Sequence, residues 1–330
     1  MAKVRNAILA TLAYYDVFEF PLTLVEIYKY LVNPGRVENL PEGIGEIKVS
    51  DILNELDNLK QGGRVVEHNG FYFLSADRIS IYNQRIEREK LAAQKWKKLM
   101  RVVRWFPLVP HLRGVFVSGS LAINNTNEES DFDVLVIAKS GRLYTCRFFL
   151  SLLTSIFGVR RTRHDTKAPD KLCFNHYLTD ANMTIPYESL YNAQTYVNLK
   201  PVFVREGVWV KFFLENLWLN KYVYHPQTQE YLMRRTVHSP AYIRVVNALA
   251  ETVLNTFAGD LVEKLNKRFQ QRRIRLNPVT YAPGGRTVFT DQQLEFHPHS
   301  EERNILEQYN RLIADIGTFW NYQEVDSGLL

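Results

Sequence analysis

Apolar positions along the chain recur at two spacings, one helical and one alternating, and the changes between them mark out the elements. Residues 4–15 (VRNAILATLAYY) carry apolar side chains at helical spacing, which predicts a first helix. Pro21 then acts as a breaker, because proline has no backbone N–H and a fixed φ. TLVEIYKYLV (23–32) predicts a second helix, with Thr23 as N-cap and Glu26 completing a capping box. A loop with Pro34, Gly35, Pro41 and Gly43 follows. VSDILNELDNLKQGG (49–63) predicts a third helix, with Ser50 as cap and Gly62 as stop. RVVEHNGFYFLS (64–75) reads as two strands joined at Asn69–Gly70, a strong hairpin signal. Residues 79–105 predict one long charged helix, ended by Pro107 and Pro110.

Beyond that point strands and helices alternate. GVFVSG starts a strand at about Gly114, SLAINN opens a short helix, and SDFDVLVIA is a strand again. LYTCRFFLSLLTSIFG is a helix, and LCFNHYLT (172–179) is a strand after a basic loop. This alternation predicts a mixed-sheet core. From about residue 186 helical patterns dominate. A helix over 188–203 runs into Pro201, a short extended patch lies near 286–298, and a last helix capped by Ser300 reaches Trp320. The fold class is therefore α+β, in four parts: residues 1–78, a connector helix over 79–105, a core over 106–185 and a mostly helical domain over 186–330.

The element order of residues 1–78 resembles a winged-helix domain, although no motif carries the likeness. The third helix would face DNA, yet Asp51, Glu55 and Asp57 outnumber Lys60, and DNA readers need Lys or Arg at the phosphates. A packing or partner-binding module is the plainer reading.

Composition narrows the class. With 330 residues, 46% hydrophobic and 23% charged, the chain is long enough for two or three globular domains. Its net charge of +6 permits phosphate-rich partners without demanding them. Two cysteines, Cys146 and Cys173, build neither a disulfide framework nor a Cys-based zinc site. The N-terminus lacks a signal-peptide cleavage pattern, so a cytoplasmic location is expected. The longest apolar stretch, 143–159, contains Arg147 and falls short of the roughly 20 residues a membrane span needs. A buried helix is expected there, and no membrane partner.

The chemistry concentrates in GSLAINNTNEESDFDVLVI (119–137). A Gly-Ser turn after a strand offers backbone N–H groups and a hydroxyl to phosphate oxygens. Asp131 and Asp133, two apart on a strand, point to one face. Two like charges there repel unless something positive lies between them, and a divalent metal such as Mg²⁺ or Mn²⁺ would supply it. This arrangement resembles the polymerase-beta-type nucleotidyltransferase superfamily, whose signature is a Gly-Ser turn, a loop of about ten residues, and Asp-x-Asp opening an apolar strand. Here these are Gly119-Ser120 and Asp131-Phe132-Asp133, with Ala122 and Ser130 at positions where members often have the same residues. The likeness covers roughly residues 112–180.

The resemblance implies that Asp131 and Asp133 bind Mg²⁺ (or Mn²⁺) and that Ser118, Gly119, Ser120 and Ser130 hold an NTP, ATP first among them. An acceptor hydroxyl on a small molecule, a protein or an RNA would attack the α-phosphate, and pyrophosphate would leave. Two features depart from the pattern. Asn124 stands where many members have a second glycine, and asparagine tolerates left-handed backbone. The third carboxylate, expected on LCFNHYLTD, is replaced at the strand centre by Asn175, with Asp180 at its end and Asp165 in the loop before it. Asp180 could serve in a shifted register, Asn175 could serve beside two carboxylates, or the site could bind nucleotide without turnover. The last case gives the alternative function: a nucleotide-binding regulator whose winged-helix-like region contacts DNA or a protein.

Other candidates have plain readings. His176 would face away from Asn175, as a core or surface histidine. The basic loop 159–171, with Arg160, Arg161, Arg163 and His164, is either solvated or reaches a triphosphate or polyanionic acceptor. Segment 264–276, with Lys264, Lys267, Arg268, Arg272, Arg273 and Arg275, offers RNA or DNA contact. Lys90, Lys97, Lys98, Arg101 and Arg104 form a solvated face of the connector or, alternatively, face phosphate. His297 and His299 read as structural. No P-loop lysine motif or dinucleotide-binding glycine fingerprint is present.

Overall fold

The N-terminal helical pattern forms α1 (Ala2–Asp16) in the computed structural model, which describes residues 2–38, 45–162, 165, 167–224, 235–282, 285–297, 300–317 and 322–328. Pro41, Gly43, Arg163, His164 and His299 lie outside the described residues. β1 (Leu22–Thr23) leads into α2 (Leu24–Tyr30), whose capping box forms as expected: the Glu26 N–H donates to Thr23 Oγ1 at 3.3 Å and the Thr23 N–H donates to the Glu26 carboxylate at 2.9 Å. After the short α3 (Pro34–Val37) comes α4 (Val49–Gln61), closed by Gly62. Ser50 is not its cap. The helix starts one residue earlier, and Asp51 reaches back to accept from the Lys48 N–H at 2.8 Å.

β2 (Val66–His68) and β3 (Phe71–Phe73) make the expected hairpin, with φ of +51° at Asn69 and +80° at Gly70. These are the left-handed values that a two-residue turn requires. β1 adds to β3, giving a small sheet in the order β1-β3-β2. α5 (Ile81–Val103) follows a 3₁₀ turn and exposes Lys90, Lys97, Lys98 and Arg101, while Arg85, Lys95 and Trp96 are buried.

The central sheet is built from β4 (Leu112–Val117), β5 (Phe132–Ala138), β6 (Leu172–Thr179), β7 (Lys200–Val204), β8 (Arg286–Phe289) and β9 (Gln293–His297), in the order β7-β4-β5-β6-β9-β8. Among the described strands of this sheet only β5 and β6 run parallel. A one-turn α6 (Gly119–Ala122) separates β4 from β5, and α7 (Leu143–Ile156) connects β5 to β6. α8 (Leu190–Val197) ends before Pro201, which lies in β7 instead of stopping a helix. β7 is an edge strand, where the missing proline N–H leaves no ladder bond unmade. The remaining helices are α9 (Val208–Glu215), α10 (Ala241–Leu254), α11 (Phe257–Arg275) and α12 (Glu302–Ile316). Three of the six sheet strands thus come from the region expected to be mostly helical.

The sheet separates two apolar layers. Val115, Val117, Val134, Val136 and Tyr177 pack in one cluster with Trp96 and Leu99 of α5 and Leu150 of α7. Phe116, Leu135, Ile137 and Leu178, on the opposite face, share a cluster with α1, α2, α4, α8, α9 and α12. On the outside, α10 and α11 carry a long row of apolar side chains in water: Tyr242, Val245, Leu249, Val253, Phe257, Leu261, Leu265 and Phe269 are each at least 50% exposed. α7 is only partly buried, with Phe148, Leu152 and Ile156 outward. Among the described residues no helix is long and apolar enough to cross a membrane.

Candidate functional site

The site begins where β4 ends. Ser118 has an extended backbone, and its N–H donates to the Asp133 carbonyl at 2.9 Å. Gly119 then takes φ +64°, and a Cβ built on it would meet Asp133 Oδ2 at 2.8 Å. Both the backbone and the space therefore require glycine here. Ser120 sits half-buried in the first turn of α6. Asn124 adopts φ +59°, the left-handed geometry expected of it, and its Oδ1 accepts from Trp96 Nε1 at 3.1 Å.

The loop before Asp131 is held from α5. Lys95, 1% exposed, donates to the Glu128 carbonyl at 3.1 Å, the Ser130 carbonyl at 2.8 Å and Asp170 Oδ1 at 2.8 Å. Arg88 donates to Asn125 Oδ1 at 3.0 Å. Lys95 was outside the basic run singled out in the sequence, because burial of one lysine among exposed neighbours leaves no local signal. The Ser130 hydroxyl accepts from the Asn127 N–H at 3.1 Å and donates to Asn127 Oδ1 at 2.9 Å. The Ser130 hydroxyl is thus bonded within its own loop.

Asp131 and Asp133 do converge. Their ligand atoms and Cys173 Sγ all lie within 4.8 Å of one another. Cys173 stands opposite Asp133 in the parallel β5–β6 register. Asn175 Nδ2 donates to Asp133 Oδ1 at 2.9 Å, so Asn175 joins the pair. Arg161 Nη1 lies 2.5 Å from Asp131 Oδ2 and sets a positive charge beside the pair. Burial, then the Asp131 charge, pushes the Asp133 carboxyl well above the usual carboxylate range, against the pull of Arg161, Cys173 and Asn175. Burial likewise pushes the Cys173 thiol up, which keeps its proton on.

Asp180 is not part of this group. It follows the far end of β6, where Thr179 pairs with Ala138, seven residues past Cys173 and roughly 23 Å along the strand. There its Oδ1 accepts from the Ser140 N–H at 2.8 Å. Asp165 is likewise occupied elsewhere, accepting from the Thr162 N–H at 2.8 Å and Lys171 at 3.1 Å.

His176 is buried, as expected of a core histidine, but on a different face from the one expected. The register shift between Asp133 and Leu135 places His176 opposite Leu135, on the face that Asp133 shares. It gathers with Glu295 and His297 of β9. Arg286 Nε lies 2.5 Å from Glu295 Oε1, so this second cluster already contains its own cation. Burial holds both imidazoles neutral, lowering His176 well below its ordinary range and His297 to about 4.

The donors at the Asp pair fit a hard cation only in part. Two carboxylates and an amide suit Mg²⁺, which keeps several waters and takes phosphate oxygens. A protonated thiol does not suit it. Among the described residues no third carboxylate joins the cluster. Compared with family models, with curated proteins and with solved structures, the chain matches none.

Proposed function

We propose that this chain is a metal-dependent nucleotidyltransferase that moves a nucleoside monophosphate from an NTP to an acceptor hydroxyl. The observation that carries this reading is the Gly-Ser turn set against the carboxylate pair: the Ser118 N–H donates to the Asp133 carbonyl at 2.9 Å, and a Cβ on Gly119 would meet Asp133 Oδ2 at 2.8 Å. Asp131 and Asp133 would hold Mg²⁺, which when bound supplies charge stabilisation at the reacting phosphate. Ser118, Gly119 and Ser120 would face the phosphate chain. Arg161, released from Asp131 as the cation takes that carboxylate, would be free to meet a phosphate oxygen. Asn175 would orient Asp133. The test is calorimetric titration with each Mg²⁺–NTP, followed by a pyrophosphate-release assay. Binding that vanishes in Asp131→Asn/Asp133→Asn, with release of pyrophosphate alongside a labelled acceptor, is the expected result. No metal-dependent binding would end this reading.

A second reading is favoured by Asn175 and Arg161: a site with two carboxylates, one already neutralised, binds nucleotide without turnover and serves a regulator. The order α1, β1, α2, α3, α4, β2, β3 with the β1-β3-β2 sheet resembles a winged helix and supports this reading. The exposed side chains of α4 include Asp51, Leu53, Asn54 and Asn58, and its lysine, Lys60, is paired with Asp57 at 3.1 Å, which opposes its DNA version. Absence of a gel shift with duplex DNA at low salt would remove that version.

A further inference from the structure

α10 and α11 reverse the usual arrangement of an amphipathic helix. They dock on the body of the protein largely through polar side chains. Asn247, 3% exposed, donates to the Val109 carbonyl at 3.0 Å, and Glu251 accepts from the His111 N–H at 2.9 Å. Glu263 accepts from the Tyr144 and Thr145 N–H groups at 2.9 and 2.8 Å. The outward side is apolar instead: Leu249 is 64% exposed, Val253 63%, and Phe257, where the two helices meet, 84%. A helix of a globular protein ordinarily buries such a stripe. Further along α11 the same side turns basic. At 3.6 residues per turn, Lys264, Arg268 and Arg275 project within about 20° of Phe257. Lys264, Arg268 and Arg272 are exposed and form no ion pair among the described residues. The acids of both helices are already engaged: Glu251 by Arg113 and Arg205, Glu263 by α7, and Asp260 by Arg142.

We infer that the outward face of α10 and α11 docks on an anionic lipid bilayer, with both helices lying in the plane of the headgroups. A nucleic acid would meet the cations but leave Leu249, Val253 and Phe257 in water. A second copy of the chain would cover the apolar row but bring the same cations, and no free carboxylate, to meet Lys264, Arg268 and Arg272. An anionic bilayer satisfies both halves of the face: acyl chains take the apolar side chains and headgroups take the cations. The stems of Lys and Arg extend the apolar contact while their charged ends stay among the headgroups. Such docking needs no spanning segment, in keeping with the described helices, none of which is long and apolar enough to cross a membrane. The inference is independent of the transferase reading, since neither helix carries a residue of the Gly-Ser turn or the Asp pair.

The experiment is co-sedimentation of the full chain with vesicles of phosphatidylcholine and phosphatidylglycerol in equal parts, against vesicles of phosphatidylcholine alone. Wild type is expected to pellet with the anionic vesicles, to bind the neutral ones roughly 10-fold more weakly or less, and to be partly released as salt rises. Phe257→Ser/Leu261→Ser removes apolar contact and Arg268→Gln/Arg272→Gln removes charge. Each pair should weaken anionic-vesicle binding roughly 10-fold or more. Tm should hold in both, because all four side chains are exposed. If Phe257→Ser/Leu261→Ser lowers Tm, Leu249→Gln/Val253→Thr reads the same face. Failure of wild type to pellet, or full binding by either folded pair, would overturn the inference. A dimer in sedimentation velocity that the apolar pair dissociates, without vesicle binding, would give the face to a second copy and overturn it. A gel shift with duplex RNA without vesicle binding would do the same in favour of nucleic acid.

Discussion

At Gly119 one hydrogen atom decides the site. Gly119→Ala must either move Asp133 or abandon φ +64°, and the strain is about 1–3 kcal/mol. Urea denaturation should record that loss, and calorimetry should find Mg²⁺–NTP binding weakened beyond it. Asp133 adds a pH dependence. Its raised carboxyl is protonated at pH values where an ordinary aspartate is charged, so a cation must displace a proton to bind. Apparent Mn²⁺ affinity, followed by electron paramagnetic resonance, is expected to rise steadily as pH climbs from 5 toward neutrality. A flat profile would show Asp133 ionised throughout. Much at this scale was legible in the sequence, because a turn, a cap and an Asp-x-Asp pair are written within a few residues. Asn124 took the left-handed geometry that its residue type allows. Arg161 was legible only as one cation in a loop. Its place on Asp131 depends on β6 lying parallel to β5, which no local spacing records.

Between elements, cross-ties position the loop and the sheet edge. Lys95 joins α5 to the loop before Asp131, and removing it would leave two carbonyls and part of Asp170 unmet. Lys95→Met should cost about 3 kcal/mol and weaken nucleotide binding; equal stability in thermal melts would contradict this. Glu251 ties α10 to β4 and β7 through Arg113 at 2.9 Å and Arg205 at 3.1 Å. Burial alone would raise its carboxyl, but Arg113, the His111 N–H and Arg205 prevail and hold it at about 2. A folded-state value below the unfolded one stabilises the protein above the ordinary glutamate range, and that contribution is lost as pH falls toward 2. Glu251→Gln should therefore be less stable than wild type at pH 7, and the gap should shrink in acid melts. Elements of this kind were the hardest to foresee. β1 has two residues, too few for any periodicity, and β7 was hidden because Pro201 reads as a breaker unless the strand is known to be an edge. The long helices and the Asn69–Gly70 hairpin needed no such context.

Across the whole molecule, the row of apolar side chains on α10 and α11 leaves a hydrophobic surface in water, larger than lone exposed residues would make. The native protein should bind the dye ANS, and Leu249→Lys/Leu265→Lys should reduce the fluorescence without lowering Tm. Unchanged fluorescence would place the dye elsewhere. The order in which the chain supplies its parts has a different consequence. β6 waits for β9, whose Glu295 pairs with His176, and Tyr14 of the first helix meets Tyr309 of the last at 5.9 Å between ring centres. During synthesis β6 and α1 must therefore stand without these partners until β9 and α12 have left the ribosome, and contacts this distant in sequence slow folding. For that interval the growing polypeptide carries an open strand edge at β6 and a first helix packed only against its near neighbours, so its need for chaperones lasts until β9 and α12 emerge.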